Sequence, residues 1–135
     1  MNLNLKNKNA IVCASSQGLG KAAAMDLAME GVNLAICSRD QKKIDRAKKE
    51  ILMKTDQNIK ILSLEVNLDS PEEINAFYKE VESNLGSVDI LVNNTGGPPP
   101  SSFDQISDED WLNAFNSTMM SSVRLSRAVI PHMKE

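Results

Sequence analysis

Ser15, Ser16, Gln17, Gly18, Leu19 and Gly20 stand between an apolar run and an amphipathic one. Glycines at positions 18 and 20 that open a helix leave backbone N–H groups approachable, and the helix dipole adds partial positive charge there. A phosphate group suits such a place. Ser15 and Ser16 add hydroxyl donors. A glycine-rich stretch alone can be a plain tight turn. The strand before it and the helix after it favour a loop that cradles the pyrophosphate of a dinucleotide.

A second segment bears on which dinucleotide. An NAD site commonly carries an acidic residue about 20 positions further on, bonded to the ribose hydroxyls. Here the next apolar run ends at Ser38, followed by Arg39. A guanidinium bonds a 2′-phosphate with charge assistance and stacks on adenine. The pair therefore predicts NADP(H) in preference to NAD(H). Asp40, one position later, reads as a ribose ligand or as the cap of the following helix, and the cap suits it better. Two further polar segments follow apolar runs, at 67–69 and 93–97. The second continues into Pro98-Pro99-Pro100, either a stiff rim of the site or a plain rigid connector.

These segments need elements to position them. Residues 9–14 and 32–37 read as strands buried on both faces, and 59–66 and 88–92 as a third and fourth. Helical patterns fill the gaps. One covers 21–30 and stops at Gly31. Another runs 41–54 with Ile44, Ala47, Ile51 and Leu52 on its apolar side. A third starts at Ser70 as cap with Pro71 in the first turn. Glu73 is placed to complete a capping box, and Ile74, Phe77, Val81 and Leu85 line one side. Ser107 opens one long last helix over 108–134, carrying Trp111, Leu112, Phe115, Met119, Met120, Val123, Leu125 and Ile130. The order β-α-β-α-β-α-β-α predicts a Rossmann-type α/β fold, a doubly wound parallel sheet with helices on both faces. Residues 1–135 form a single nucleotide-binding domain in this reading, and ligands bind at the carboxyl ends of the strands.

Composition narrows the partners. The 135 residues are 41% hydrophobic and 24% charged with a net charge of −3, which disfavours a nucleic-acid or anionic-membrane partner. The first six residues lack a signal-peptide core and no run approaches a membrane span, so a cytoplasmic location is expected. Cys13 and Cys37 sit in apolar runs as buried, reduced thiols, without metal-ligand spacing. His132 reads as a surface residue at a helix end.

With its segments in view, the chain resembles the short-chain dehydrogenase/reductase family, closest to 3-oxoacyl-acyl-carrier-protein reductase-like members. The resemblance runs along all 135 residues and covers the N-terminal half of a typical member. The family's Thr-Gly-x-x-x-Gly-x-Gly appears as Cys13-Ala14-Ser15-Ser16-Gln17-Gly18-Leu19-Gly20, where Ala14 fits only with a negative φ. Its Asn-Asn-Ala-Gly appears as Asn93-Asn94-Thr95-Gly96, which by resemblance braces the sheet centre and the nicotinamide ribose. Its adenine-contacting Asp-Val pair falls on Asn67 and Leu68. The resemblance implies hydride transfer between a nicotinamide and a small-molecule carbonyl or alcohol. It also implies a homo-oligomer, dimer or tetramer, built through the 108–134 helix.

Two departures follow. The family's Tyr-x-x-x-Lys is absent, since the only tyrosine, Tyr78, has Glu82 four residues on. The chain alone is therefore expected to be inactive. The family's catalytic Asn position falls on Thr118, whose hydroxyl could hold a water. Asn116, about 200° away around a regular helix, should not face the same site. A non-catalytic nucleotide-binding module and an assembly module stand as alternatives.

Overall fold

The computed structural model describes residues 3–56 and 58–135, so the first two residues of the N-terminal stretch lie outside it. Strands β1 (Asn9–Val12), β2 (Asn33–Ser38), β3 (Ile61–Glu65) and β4 (Ile90–Val92) are all parallel, in the order β3-β2-β1-β4. The chain walks outward from β1 to β3, then returns to the other side of β1. The crevice between the carboxyl ends of β1 and β4 is therefore the switch point.

Alternation along β1 explains the two layers. Ala10 and Val12 pack with α1 (Gly18–Met29) and α2 (Gln41–Lys54). Ile11 and Cys13 face the other way, toward α3 (Pro71–Leu85) and α5 (Ser121–Met133). Parallel strands covered on both sides must be apolar on both sides. That is why residues 10–13 are at most 1% exposed. The predicted apolar side of α2 is buried at Ile44, Ala47 and Ile51, while Leu52 is exposed.

Three local expectations change. Ser70 caps α3 by accepting the Glu73 N–H, but Glu73 does not reach back to it. Its carboxylate accepts the Asn67 N–H at 2.7 Å, because Ser70 N–H already bonds Asn67 O. The last helix is not uniform. α4 (Asp108–Phe115) passes into a π segment, Asn116–Met120, before α5. Hydroxyls crowd this stretch: Ser117 and Thr118 both donate to Ala114 O, Ser121 donates to Ser117 O, and Ser122 to Thr118 O. Such back-bonding competes with the regular ladder. The buried side of α5 is Ser121, Leu125 and Val129, while Trp111, Leu112, Phe115, Met119 and Ile130 are exposed. His132 is also half-covered, stacked on Tyr78 with ring centroids 6.5 Å apart and 3.0 Å from Glu82.

β4 pairs only with β1 among the described strands and leaves its other side open. An apolar edge is a template for association. The 135-residue chain by itself should sediment as species larger than a monomer. A clean monomer with a sharp cooperative melt would contradict this.

Candidate functional site

Four strand ends open onto one cleft of about 1080 Å³. Ser16, Gln17, Gly18 and Leu19 line it from the start of α1, and Ser38 and Arg39 from the end of β2. Asn67 and Leu68 come from the end of β3, and Asn94, Thr95 and Gly96 from the end of β4. Pro98, Pro99 and Pro100 also line it, so the proline run is part of the rim.

The start of α1 differs from that of its neighbours. Asp40 caps α2 by accepting the Lys43 N–H at 3.0 Å. Ser70 caps α3, and Ser107 with Asp110 forms a full capping box on α4. Gln17 begins α1 from extended backbone with no side-chain cap bond, and no acidic residue stands in the first turn. The first N–H groups of a helix have no partner within it. At α1 they are left for whatever enters the cleft.

Ala14 overturns one expectation: its φ is +45°, in the left-handed region. Three bonds hold it there. Cys13 N–H donates to Val92 O, Ser15 N–H to Cys37 O, and Asn94 Nδ2 to Ala14 O at 3.2 Å. A methyl group in that region costs about 1–2 kcal/mol. Ala14→Gly should therefore raise stability by up to about 1 kcal/mol after the extra unfolded-state freedom of glycine is subtracted. A urea midpoint at or below that of the parent would contradict this.

Ser15 and Gly20 stand behind the cleft surface. The Ser15 hydroxyl is buried and donates to Val12 O at 2.8 Å, so it braces the loop and offers nothing to a phosphate. Gly20 has no room for a side chain. A Cβ there would meet Ala14 O at 2.5 Å and Asn94 Nδ2 at 2.8 Å. Asn94 joins the two loops, donating to both Cys13 O and Ala14 O. Ser38 is tied into its own turn, donating to Asp40 O and accepting from Asp40 N–H. Asn67 uses its carbonyl oxygen on Asp69 N–H and keeps its amide N–H group for other bonds.

Thr118 does not reach the cleft, because its hydroxyl is bound to Ala114 O. Ser117 is the π-segment residue that lines it. Asn116 is also not among the lining residues; it donates to Asp69 O at 3.0 Å and accepts from Arg124 at 2.9 Å.

Sequence reasoning missed Lys43, which lines the same cleft as Arg39. Its place three residues past the Asp40 cap was the available signal, since a first-turn residue stays near the strand end. Asp110 and Asn113 also line the cleft from α4. The Ser107 hydroxyl and N–H hold the Asp110 carboxyl below its ordinary value. Its contribution to stability is present above the unfolded carboxyl range and fades as pH falls through the lowered folded value. Ser107→Ala should raise the Asp110 titration midpoint by carboxyl NMR. An unmoved midpoint would dismiss the capping box as the cause. No group of three or more metal-ligating side chains occurs among the described residues, and no helix among them is long and apolar enough to cross a membrane.

Residues 8–135 match the model of the short chain dehydrogenase family. The chain belongs to that family. It is 34% identical over 133 residues to the uncharacterized oxidoreductase YvrD of Bacillus subtilis, a match covering 98% of the chain and 49% of the relative. It is 28% identical over 127 residues to the 3-oxoacyl-[acyl-carrier-protein] reductase FabG of Staphylococcus epidermidis, covering 94% and 51%. The L-sorbose reductase of Gluconobacter frateurii, solved with NADPH and L-sorbose, superposes with a TM-score of 0.92 at 30% identity, over 99% of this chain and 50% of that one. The chain thus spans about half the length of these short chain dehydrogenase relatives. Its sheet and helices have the Rossmann-type arrangement seen in the family's solved structures.

Proposed function

We propose that this chain is the cofactor-binding half of an NADP(H)-dependent short chain dehydrogenase, with NADP(H) taken in preference to NAD(H). One observation carries the reading: the uncapped N-terminus of α1 opens into the same cleft as Arg39 and Lys43. Unpaired N–H groups suit the pyrophosphate, and the two cations suit a 2′-phosphate. Asp40, the rival ribose ligand, is engaged in capping α2. The Asn67 amide and Leu68 would meet the adenine, and Asn94, Thr95 and Gly96 the nicotinamide side. NADPH in the L-sorbose reductase complex supports the choice of cofactor.

The bound nicotinamide supplies the hydride chemistry, exchanged with a carbonyl or secondary alcohol. This half binds and orients it. Tyr78 is no substitute for the family's catalytic tyrosine, because it packs under His132 between α3 and α5. The 135 residues alone are therefore inactive in this reading. The exposed Trp111, Leu112, Phe115 and Met119 are the surface through which the whole protein would form a homo-oligomer.

Cofactor fragments test the assignment. Adenosine 2′,5′-bisphosphate should bind at least tenfold more tightly than adenosine 5′-monophosphate by calorimetry. Equal affinity would remove the 2′-phosphate site.

A further inference from the structure

The only two cysteines of the chain lie side by side. Val12 of β1 is in register with Ile36 of β2, and Cys13 and Cys37 are the next residues along the two chains. Both side chains belong to the core cluster on the α3 and α5 face, and both are buried. Each thiol lies near enough to the other to shift its ionisation. The Cys13 side chain lowers the Cys37 thiol from its ordinary value, while the Cys37 side chain and burial raise Cys13 well above it. Cys37 is thus the thiol that ionises first, and the thiolate is the nucleophile.

The backbone of the same two residues holds the candidate cofactor loop. Cys13 O accepts from Asn94 Nδ2, and Cys37 O accepts from Ser15 N–H. The left-handed Ala14 directly follows Cys13, and Ser38 directly follows Cys37.

We propose that Cys13 and Cys37 are a disulfide-forming pair whose oxidation weakens cofactor binding, a proposal that rests on the cofactor reading above. Neighbouring strands lie about 4.8 Å apart. That falls within the Cα separations of about 4.4–6.8 Å that disulfides span. The Cβ atoms of a bridge sit nearer, at about 3.8 Å, so closing it draws the two strand ends together. The displacement falls on Ala14 and Ser15, where the loop has the least slack.

With hydrogen peroxide as oxidant, the Cys37 thiolate attacks one peroxide oxygen. An S–O bond forms, the O–O bond breaks and hydroxide leaves, taking a proton to become water. The Cys13 sulfur then attacks the sulfenic sulfur. An S–S bond forms, the S–O bond breaks, and the oxygen departs as a second water with the Cys13 proton. The two thiols lose two electrons and the peroxide gains them. Burial makes local opening of the loop the gate for this reaction. Cofactor that holds the loop closed should therefore slow it.

The test uses the full-length protein with hydrogen peroxide as oxidant and NADP+ as ligand. Denatured thiol counts and non-reducing peptide maps should show a Cys13–Cys37 bridge, formed more slowly at saturating NADP+. The bridged protein should bind NADP+ at least tenfold more weakly, and dithiothreitol should restore the affinity. The affinity of Cys37→Ala should not respond to peroxide. If that variant fails to fold, the thiol count, map and affinity of the parent protein decide the matter. Cys13 and Cys37 thiols that both persist after peroxide overturn the proposal, as does a bridge that leaves NADP+ affinity unchanged. Absence of NADP+ binding before any oxidation instead overturns the cofactor reading, and the coupling with it.

Discussion

Replacing Arg39 by alanine should weaken NADPH binding by about 10- to 100-fold and leave NADH binding nearly unchanged. The estimate follows from a charge-assisted hydrogen bond of about 1.5–3 kcal/mol, at 1.4 kcal/mol per tenfold. Arg39 and Lys43 line the same cleft. The two cations would share one phosphate, so their effects should not add. Lys43→Ala should cost less than Arg39→Ala, because an ammonium on a flexible stem is a point charge without a planar fork. The loss should shrink as salt is raised, since both side chains sit near solvent. Titrations of the variants with NADPH and NADH check this. Equal losses for the two cofactors would show that Arg39 serves the fold or the shared part of the dinucleotide, and would remove the stated preference.

The second large effect is at Gly20. Gly20→Ala would put a Cβ 2.5 Å from Ala14 O, 2.8 Å from Asn94 Nδ2 and 3.0 Å from Cys13 O. Two of these are backbone oxygens at the end of β1 and cannot swing aside like the tip of a side chain. The loop must move, at a cost of about 1–3 kcal/mol for overpacking. The move also breaks the Asn94 bonds that join the loop to the end of β4. Cofactor affinity should fall at least a hundredfold. Gly18 is the contrast. A Cβ there meets nothing within 4 Å, although its φ of +60° still disfavours a side chain. Gly18→Ala should cost only the left-handed penalty of about 1–2 kcal/mol. Urea midpoints and NADPH titrations of both variants separate the cases. A Gly20→Ala protein as stable and as tightly binding as Gly18→Ala would contradict the close packing of this turn.

The order of elements was legible because parallel strands between two helical layers must be apolar on both faces, as at Ile11 and Ile36. Helix starts were legible where a short polar side chain does the capping, as at Asp40, Ser70 and Ser107. The cleft was legible where strand ends carry glycine, serine and asparagine, since those types expose backbone. Three features escaped. The left-handed Ala14 is imposed by bonds from Val92, Cys37 and Asn94, partners far away in the chain. The π segment arises where hydroxyls from Ser117, Thr118, Ser121 and Ser122 compete for carbonyls, which a 3.6-residue period cannot register. Lys43 was lost among the lysines of α2, because periodicity separates buried from exposed and is silent on which exposed residue borders a cleft.

The uncapped start of α1 and the two cations beside it make one claim, that a dinucleotide with a 2′-phosphate binds here. Fluorescence titration of the full-length protein with NADPH and NADH tests it most directly. Saturable binding is expected, with NADPH at least tenfold tighter. Equal affinity for the two cofactors, or no binding of either, would contradict the account.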